Sequence, residues 1–277
     1  MKVSRMRLSV LWVAAGVVGA TMPAIAQRNR TDLGYAEVSI INCKAERFRE
    51  CEDFYTRAFH SAAEALTKKR LLSGYLVTRI VFPPPLEAGY THILETQSDE
   101  PLPAEHTEEF VTTRDEALGL PPGQADFRFS QLRDLSTRFR TASLAVAGNL
   151  PAAGDYIKVE FIKSTPETRQ ALTDWMRSTR QPMMERLVQE GRISGWSFRP
   201  LQLRGFEEPF DAIETTHYKD ASVVMGGGDP IDFRAIFHKV FPGTGLEKYE
   251  KDSQQLRYVT RTRVGRIIDV VGPGSVK

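Results

Sequence analysis

The sequence predicts an α+β protein made of two consecutive β-α-β-β-α-β units packed sheet to sheet. Three observations lead there. Tyr35–Tyr75 and Tyr156–Trp196 align without a gap at a constant offset of 121, and 9 of the 41 positions are identical. In each copy a period-2 strand precedes a run with helical apolar spacing. The later elements recur at separations of 120 to 123. A repeat of this kind constrains the fold before any residue is given a role.

The elements follow in order. Ala36, Val38 and Ile40 alternate with Tyr35, Glu37, Ser39 and Ile41; in the second copy Ile157, Val159 and Phe161 alternate with Tyr156, Lys158, Glu160 and Ile162. The apolar face of each first strand is expected to pack on helices, and the Tyr/Glu/Lys face to lie open. Phe48, Cys51, Phe54/Tyr55, Ala58/Phe59, Ala62 and Leu66 then step by three and four, as do Leu172, Trp175/Met176, Thr179, Met183 and Leu187. Thr165-Pro166-Glu167 supplies an N-cap and a first-turn proline, and Gly191 a C-terminal stop. Pro182, opposite Ser61, removes a backbone bond and should kink its helix. Strands follow at Tyr75–Phe82 and Tyr90–Thr96, and at Trp196–Leu203 and Phe210–Tyr218. One shorter helix comes next in each copy, near Glu105–Leu118 and Pro230–Phe241, ended by Pro122-Gly123 and Pro242-Gly243. The last strands are Thr137–Val146 and Thr260–Val271, with Thr137-Arg138-Phe139-Arg140 matched to Thr260-Arg261-Thr262-Arg263. This is the split-βαβ, ferredoxin-like order, over residues 35–150 and 155–277 with a linker at 151–154.

The first 26 residues read as a signal peptide: basic Lys2, Arg5 and Arg7, a largely apolar run Leu8–Met22, and Ala24-Ile25-Ala26 before Gln27. Residues 27–34 read as a flexible N-terminus, and the address as periplasmic or secreted. The mature chain holds 34 basic and 35 acidic residues, a net charge of −1. That argues against a nucleic-acid partner. No mature run is long enough to span a bilayer, and a monomer or homodimer is expected. Cys43 and Cys51 are eight apart. With a helix starting right after Cys43 their α-carbons would lie on the order of 10 Å apart, so a bridge is not expected unless the helix starts late. Cys51 aligns with Leu172 and reads as core.

One such sheet carries helices on one face only and needs a cover for the other, which a second unit in the chain provides. The element order and the repeat resemble the dimeric α/β-barrel superfamily over nearly all of 35–271. Antibiotic-biosynthesis-type monooxygenases, EthD-like, NIPSNAP-like and haem-handling proteins belong there. The resemblance implies an intrachain α/β barrel. It carries no catalytic residues over to this chain.

The expected site is an inter-sheet cleft holding a small apolar or aromatic molecule. Its candidates are Tyr35, Glu37, Arg79, His92, Arg140, Tyr156, Lys158, Glu160, Trp196, His217 and Arg263. The same arginines and glutamates read first as a salt-bridged interface between the halves. The alternatives are a cofactor-independent monooxygenase, a haem-handling enzyme and a non-catalytic interaction domain. No cofactor is expected in the first reading. Under the resemblance, His238 on the second short helix is the haem-ligand candidate. His60, His92, His106, His217 and His238 do not show metal-ligand spacing, and HExxH, CxxC and GxSxG are absent from the sequence. Gly226-Gly227-Gly228-Asp229-Pro230 reads as a capped loop before a helix, not a phosphate cradle.

Overall fold

The computed structural model describes residues 34–83, 89–99, 101, 107–203, 209–226 and 230–272. The signal peptide, the residues to position 33, His106 and Gly227–Asp229 lie outside them.

The strands are β1 Tyr35–Cys43, β2 Gly74–Phe82, β3 His92–Ser98, β4 Arg133–Ala142, β5 Ala145–Gly148, β6 Tyr156–Lys163, β7 Gly195–Leu203, β8 Ala212–Tyr218 and β9 Tyr258–Val271. They pair antiparallel in the order β4-β1-β3-β2-β9-β6-β8-β7, and β4 also pairs with β7. Eight strands therefore close a barrel, with β5 added beside β7. Closure gives each strand of the ring a neighbour on both sides, though β4 and β7 meet only briefly. The two seams between the halves differ. At one, β9 stays continuous and pairs with β6 through its first part and with β2 through its second. At the other, β4 meets β7 at only Arg140 and Thr141, and the short β5 supplies the rest.

The helix after β1 begins with a 3-10 turn, Ala45–Arg47. It continues as α1 Phe48–Asp53, a π-helical segment Phe54–Phe59, and α2 His60–Lys68. After β6 come α5 Pro166–Trp175, a π-helical segment Met176–Arg180, and α6 Gln181–Gln189. Pro182 lies just past that second π segment. The first helix makes the same excursion with no proline, so proline is not its cause. Thr165 caps α5 by accepting a bond from Thr168 N.

Where one short helix was expected in each half, two are found: α3 Glu108–Ala117 with α4 Gln124–Leu132, and α8 Phe233–Val240 with α9 Leu246–Leu256, after a short α7 Ala221–Met225. Pro-Gly here precedes a further helix rather than a strand. Gly123 has a φ of 81°, which only glycine adopts without strain.

The facing of the strands is the reverse of that expected. Val38, Ile40, Leu76, Ile93, Ile157, Val159, Phe161 and Ile213, drawn from both halves, form one cluster inside the barrel. Ile41, Tyr75, Val77 and Leu94 instead pack outward on Cys51, Tyr55, Phe59 and Ala62 of the helix. β1 is buried on both faces apart from Tyr35 and Asn42. Alternation shows which residues share a face. It does not show which layer that face meets.

Cys43 and Cys51 are bridged, contrary to expectation, with α-carbons 6.0 Å apart. The α-helix starts at Phe48, after the 3-10 turn, so the chain folds back before it rises.

Candidate functional site

The barrel interior is largely filled. A cavity of about 20 Å³ runs between Leu76, Ile93, Phe139, Val159 and Phe161, room for about one water molecule. Among the described residues this cavity is too small to be the ligand-sized inter-sheet cleft expected from sequence. An ion pair crosses the interior: Arg199 Nη1 lies 2.5 Å from Glu95 Oε1. Burial works to raise the Glu95 carboxyl. The charge and hydrogen bond of Arg199, with a bond from Gln97, outweigh it and hold the group below its ordinary range. His217 pairs with Ile157 and so shares this inner face.

The outer, helix-covered face of the C-terminal half holds a charge cluster. Glu160 and Glu214 lie directly opposite on β6 and β8. Arg257, at the end of α9, joins them: Nε to Glu214 at 2.7 Å and Nη2 to Glu160 at 2.7 Å. Arg180, from the π segment, reaches Glu214 Oε1 at 2.9 Å, and Trp196 Nε1 donates to the same oxygen at 2.7 Å. Lys158 lies 3.0 Å from Glu160. Burial would raise the Glu214 carboxyl, but the charges of Arg180 and Arg257 hold it far below the usual carboxylate range. Tyr218 is pushed up to about 12, first by burial and then by the charge of Glu160.

The same layer of the N-terminal half is built differently. Phe54, Tyr55, Phe59, Tyr75 and Phe129 form a chain of ring contacts with centroids 5.1 to 6.5 Å apart. Arg133 lies over the Phe129 and Tyr55 rings, at 4.8 and 5.6 Å. At one end of this layer His60 Nδ1 is 2.9 Å from Asp269, whose carboxyl is raised, chiefly by burial. At the other end His92 is fully buried, with Nε2 3.2 Å from Glu52 and Nδ1 3.4 Å from Cys43 Sγ. Glu52 is lowered first by its bond to His92 and then by the charge of Arg79, against the pull of burial. Tyr75 is raised well above its ordinary value by burial and by the charge of Asp269.

The predicted residues thus fall into separate places. Lys158, Glu160 and Trp196 come together in the C-terminal layer. Arg140 meets Glu37 on the outer face, where Arg138 joins them at 3.0 Å. Arg79 meets the Glu52 that holds His92. Tyr35 pairs with Ser98 and Tyr156 with Tyr218, both on the outer face. Arg263 does not share a face with Arg140. It is paired with Val159, so it lies on the inner side of β9, over the Tyr90 ring at 5.5 Å. The strand offset is 124 rather than 123: Phe139 faces Val38 as Arg263 faces Val159. A one-residue error of this kind moves every side chain to the other face. His238 lies on the exposed side of α8, 6.0 Å from the Phe237 ring, and the described residues around it form no haem pocket. Glu52, Glu95, Arg133, Arg180, Arg199, Glu214 and Arg257 were not anticipated. Arg133 and Arg257 follow helices whose apolar spacing, Ala125-Phe129-Leu132 and Leu246-Tyr249-Leu256, is visible in the sequence.

Neither a family model nor a curated relative matches the chain. Solved structures do. An anthrone oxidase-like protein aligns with a TM-score of 0.56 at 10% identity, over 89% of this chain and 96% of its own. A proposed monooxygenase from Lactobacillus acidophilus NCFM aligns at 0.53 and 5% identity, over 86% and 95%. A second, from Fusobacterium nucleatum subsp. nucleatum, aligns at 0.51 and 10%, over 87% and 95%. At such identities the likeness defines the fold alone: this is an α+β protein with the barrel of the dimeric α/β-barrel proteins. Among the described residues no helix is long and apolar enough to cross a membrane.

Proposed function

We propose that the chain is an exported protein that binds a small aromatic molecule beneath the helices of its N-terminal half, and that its fold is a tandem duplication of a ferredoxin-like unit. The observation that carries the ligand reading is the five-ring layer of Phe54, Tyr55, Phe59, Tyr75 and Phe129. Such rings contribute through burial and through offset or edge-to-face contacts with an aromatic guest. The small interior cavity is one reason to look for the ligand here rather than between the sheets. The duplication is supported by the offset of about 121 and by π-helical segments at matching places in both halves. Export is supported by the Lys2–Ala26 segment and by the Cys43–Cys51 bridge, which suits an oxidising compartment. Native mass spectrometry of the chain purified from its exporting host should find an aromatic passenger that Phe129→Ala releases, and N-terminal sequencing should begin at Gln27. A passenger retained in Phe129→Ala, or none bound from an aromatic panel, would sink the site.

A second reading is oxygenation without a resident cofactor. It is favoured by the His60–Asp269 pair beside the ring layer, and the fold likeness is compatible with it. His60, oriented by Asp269, would take a proton from an acidic CH₂ of the aromatic substrate, and dioxygen from solution would oxidise it: CH₂ + O₂ → C=O + H₂O. Oxygen consumption with anthrone as the probe, lost in His60→Gln, tests this. Equal consumption by the variant rejects it.

A further inference from the structure

We propose that the N-terminal layer is a carboxylate site, and that Arg133 is the residue that receives the anion. This rests on the small-molecule reading above and names its ligand class.

Two arginines stand in matching positions. Arg133 caps α4 at its C-terminal end, and Arg257 caps α9. They stand 124 apart, the offset that also relates β4 to β9. Both are buried. Their surroundings differ in one respect. Arg257 faces Glu160 and Glu214, a cross-strand pair, and its guanidinium is held above its ordinary value by them although burial works the other way. The matching cross-strand pair in the N-terminal half is Ser39 and Leu94. Both carboxylates are missing, and the arginine remains.

Arg133 therefore carries a buried charge without an ion-pair partner among the described residues. Its Nη1 has no hydrogen-bond partner there, and neither has the buried Tyr55 hydroxyl beside it. The guanidinium is lowered, first by burial and then by the charge of Arg138, with Tyr55 acting in the opposite sense. The rings of Phe129 and Tyr55 offset part of the cost through cation–π attraction. They offer no acceptor for the guanidinium N–H groups. A buried donor left unmade is expensive, and a carboxylate supplies two acceptors in the geometry of the arginine fork. The ligand anion takes the role that Glu160 and Glu214 play for Arg257, and its ring joins the aromatic layer.

Benzoate is the probe, with neutral benzamide as its isosteric control, added to the mature chain in thermal-melt and calorimetric titrations. Benzoate should raise the melting temperature and bind at least tenfold more tightly than benzamide, and Arg133→Met should abolish the difference. Without ligand, Arg133→Met should melt no lower than the wild type, whereas Arg257→Met should melt clearly lower. If Arg133→Met does not fold, Arg133→Lys, which keeps the charge but not the fork, should retain only part of the benzoate preference. Equal binding of benzoate and benzamide, or an undiminished preference in either variant, overturns the carboxylate assignment and leaves the aromatic site standing. Binding of neither probe rejects both.

Discussion

Replacing Arg257 with Met tests how the C-terminal layer is held. Arg257 makes two charge-assisted bonds of 2.7 Å, one to each of two carboxylates that face each other across β6 and β8. Such bonds contribute about 1.5–3 kcal/mol each, and breaking a buried pair costs about 3–5 kcal/mol. Arg180 and Trp196 stay on Glu214, and Lys158 on Glu160, so the losses do not add fully. We expect a loss of about 4 kcal/mol at pH 7, a large share of the ~5–15 kcal/mol that holds a typical domain. The sign of the pH effect is also set. In the variant the two carboxylates repel, and one takes up a proton more readily, so the gap from wild type should narrow as the solution is acidified. Urea denaturation followed by tryptophan fluorescence at pH 7 and pH 5 reads both. Adding Glu214→Leu, the residue type that Leu94 supplies in the other half, should recover part of the loss. A deficit below about 1 kcal/mol at pH 7, or one unchanged at pH 5, would refute the reasoning.

Three further outcomes follow. Cys43→Ser/Cys51→Ser should lose about 2–3 kcal/mol from the short loop the bridge closes, and peptide mapping without reductant should recover residues 43 and 51 in one linked fragment. Arg199→Met should leave Glu95 buried without its arginine, held by Gln97, and cost about 3 kcal/mol in urea melts, with the double variant Arg199→Met/Glu95→Leu regaining most of it. Glu95 and Glu214 are depressed below the ordinary 4.5 in the folded chain. Their contribution is therefore complete above that pH and is lost as pH falls through it and below; proton uptake on unfolding, measured by the slope of stability against pH, should be positive there.

The strand pattern was legible because the period-2 signal is local. Ala36, Val38 and Ile40 share a face whatever surrounds them. Which layer that face meets depends on barrel closure, and closure is set by β2 meeting β9 and β4 meeting β7, pairings with no local mark. The helices α4 and α9 were hidden by Pro-Gly pairs that read as stops. The bridge was misjudged because a 3-10 turn, not an α-helix, follows Lys44. The clusters were least legible. Glu95 meets Arg199, and Arg257 meets Glu160, across about a hundred residues of chain, and a single residue of register decides whether such groups see each other. Trp196, Lys158 and Glu160 were readable as neighbours because the repeat had aligned their strands. Glu214, which gathers the cluster, matches Leu94 and gave no repeat signal.

The unequal seams have a mechanical consequence. β9 laces the halves together through seven paired positions of β2, with two register shifts, while the opposite seam is stitched by two residues of β4 and the four of β5. A ring sewn tightly on one side and loosely on the other opens like a clasp. Amide protons along β4, β5 and the facing part of β7 should exchange ahead of those along β2 and β9. Any large guest that reaches the interior would enter by the loose side, with the long strand as the hinge.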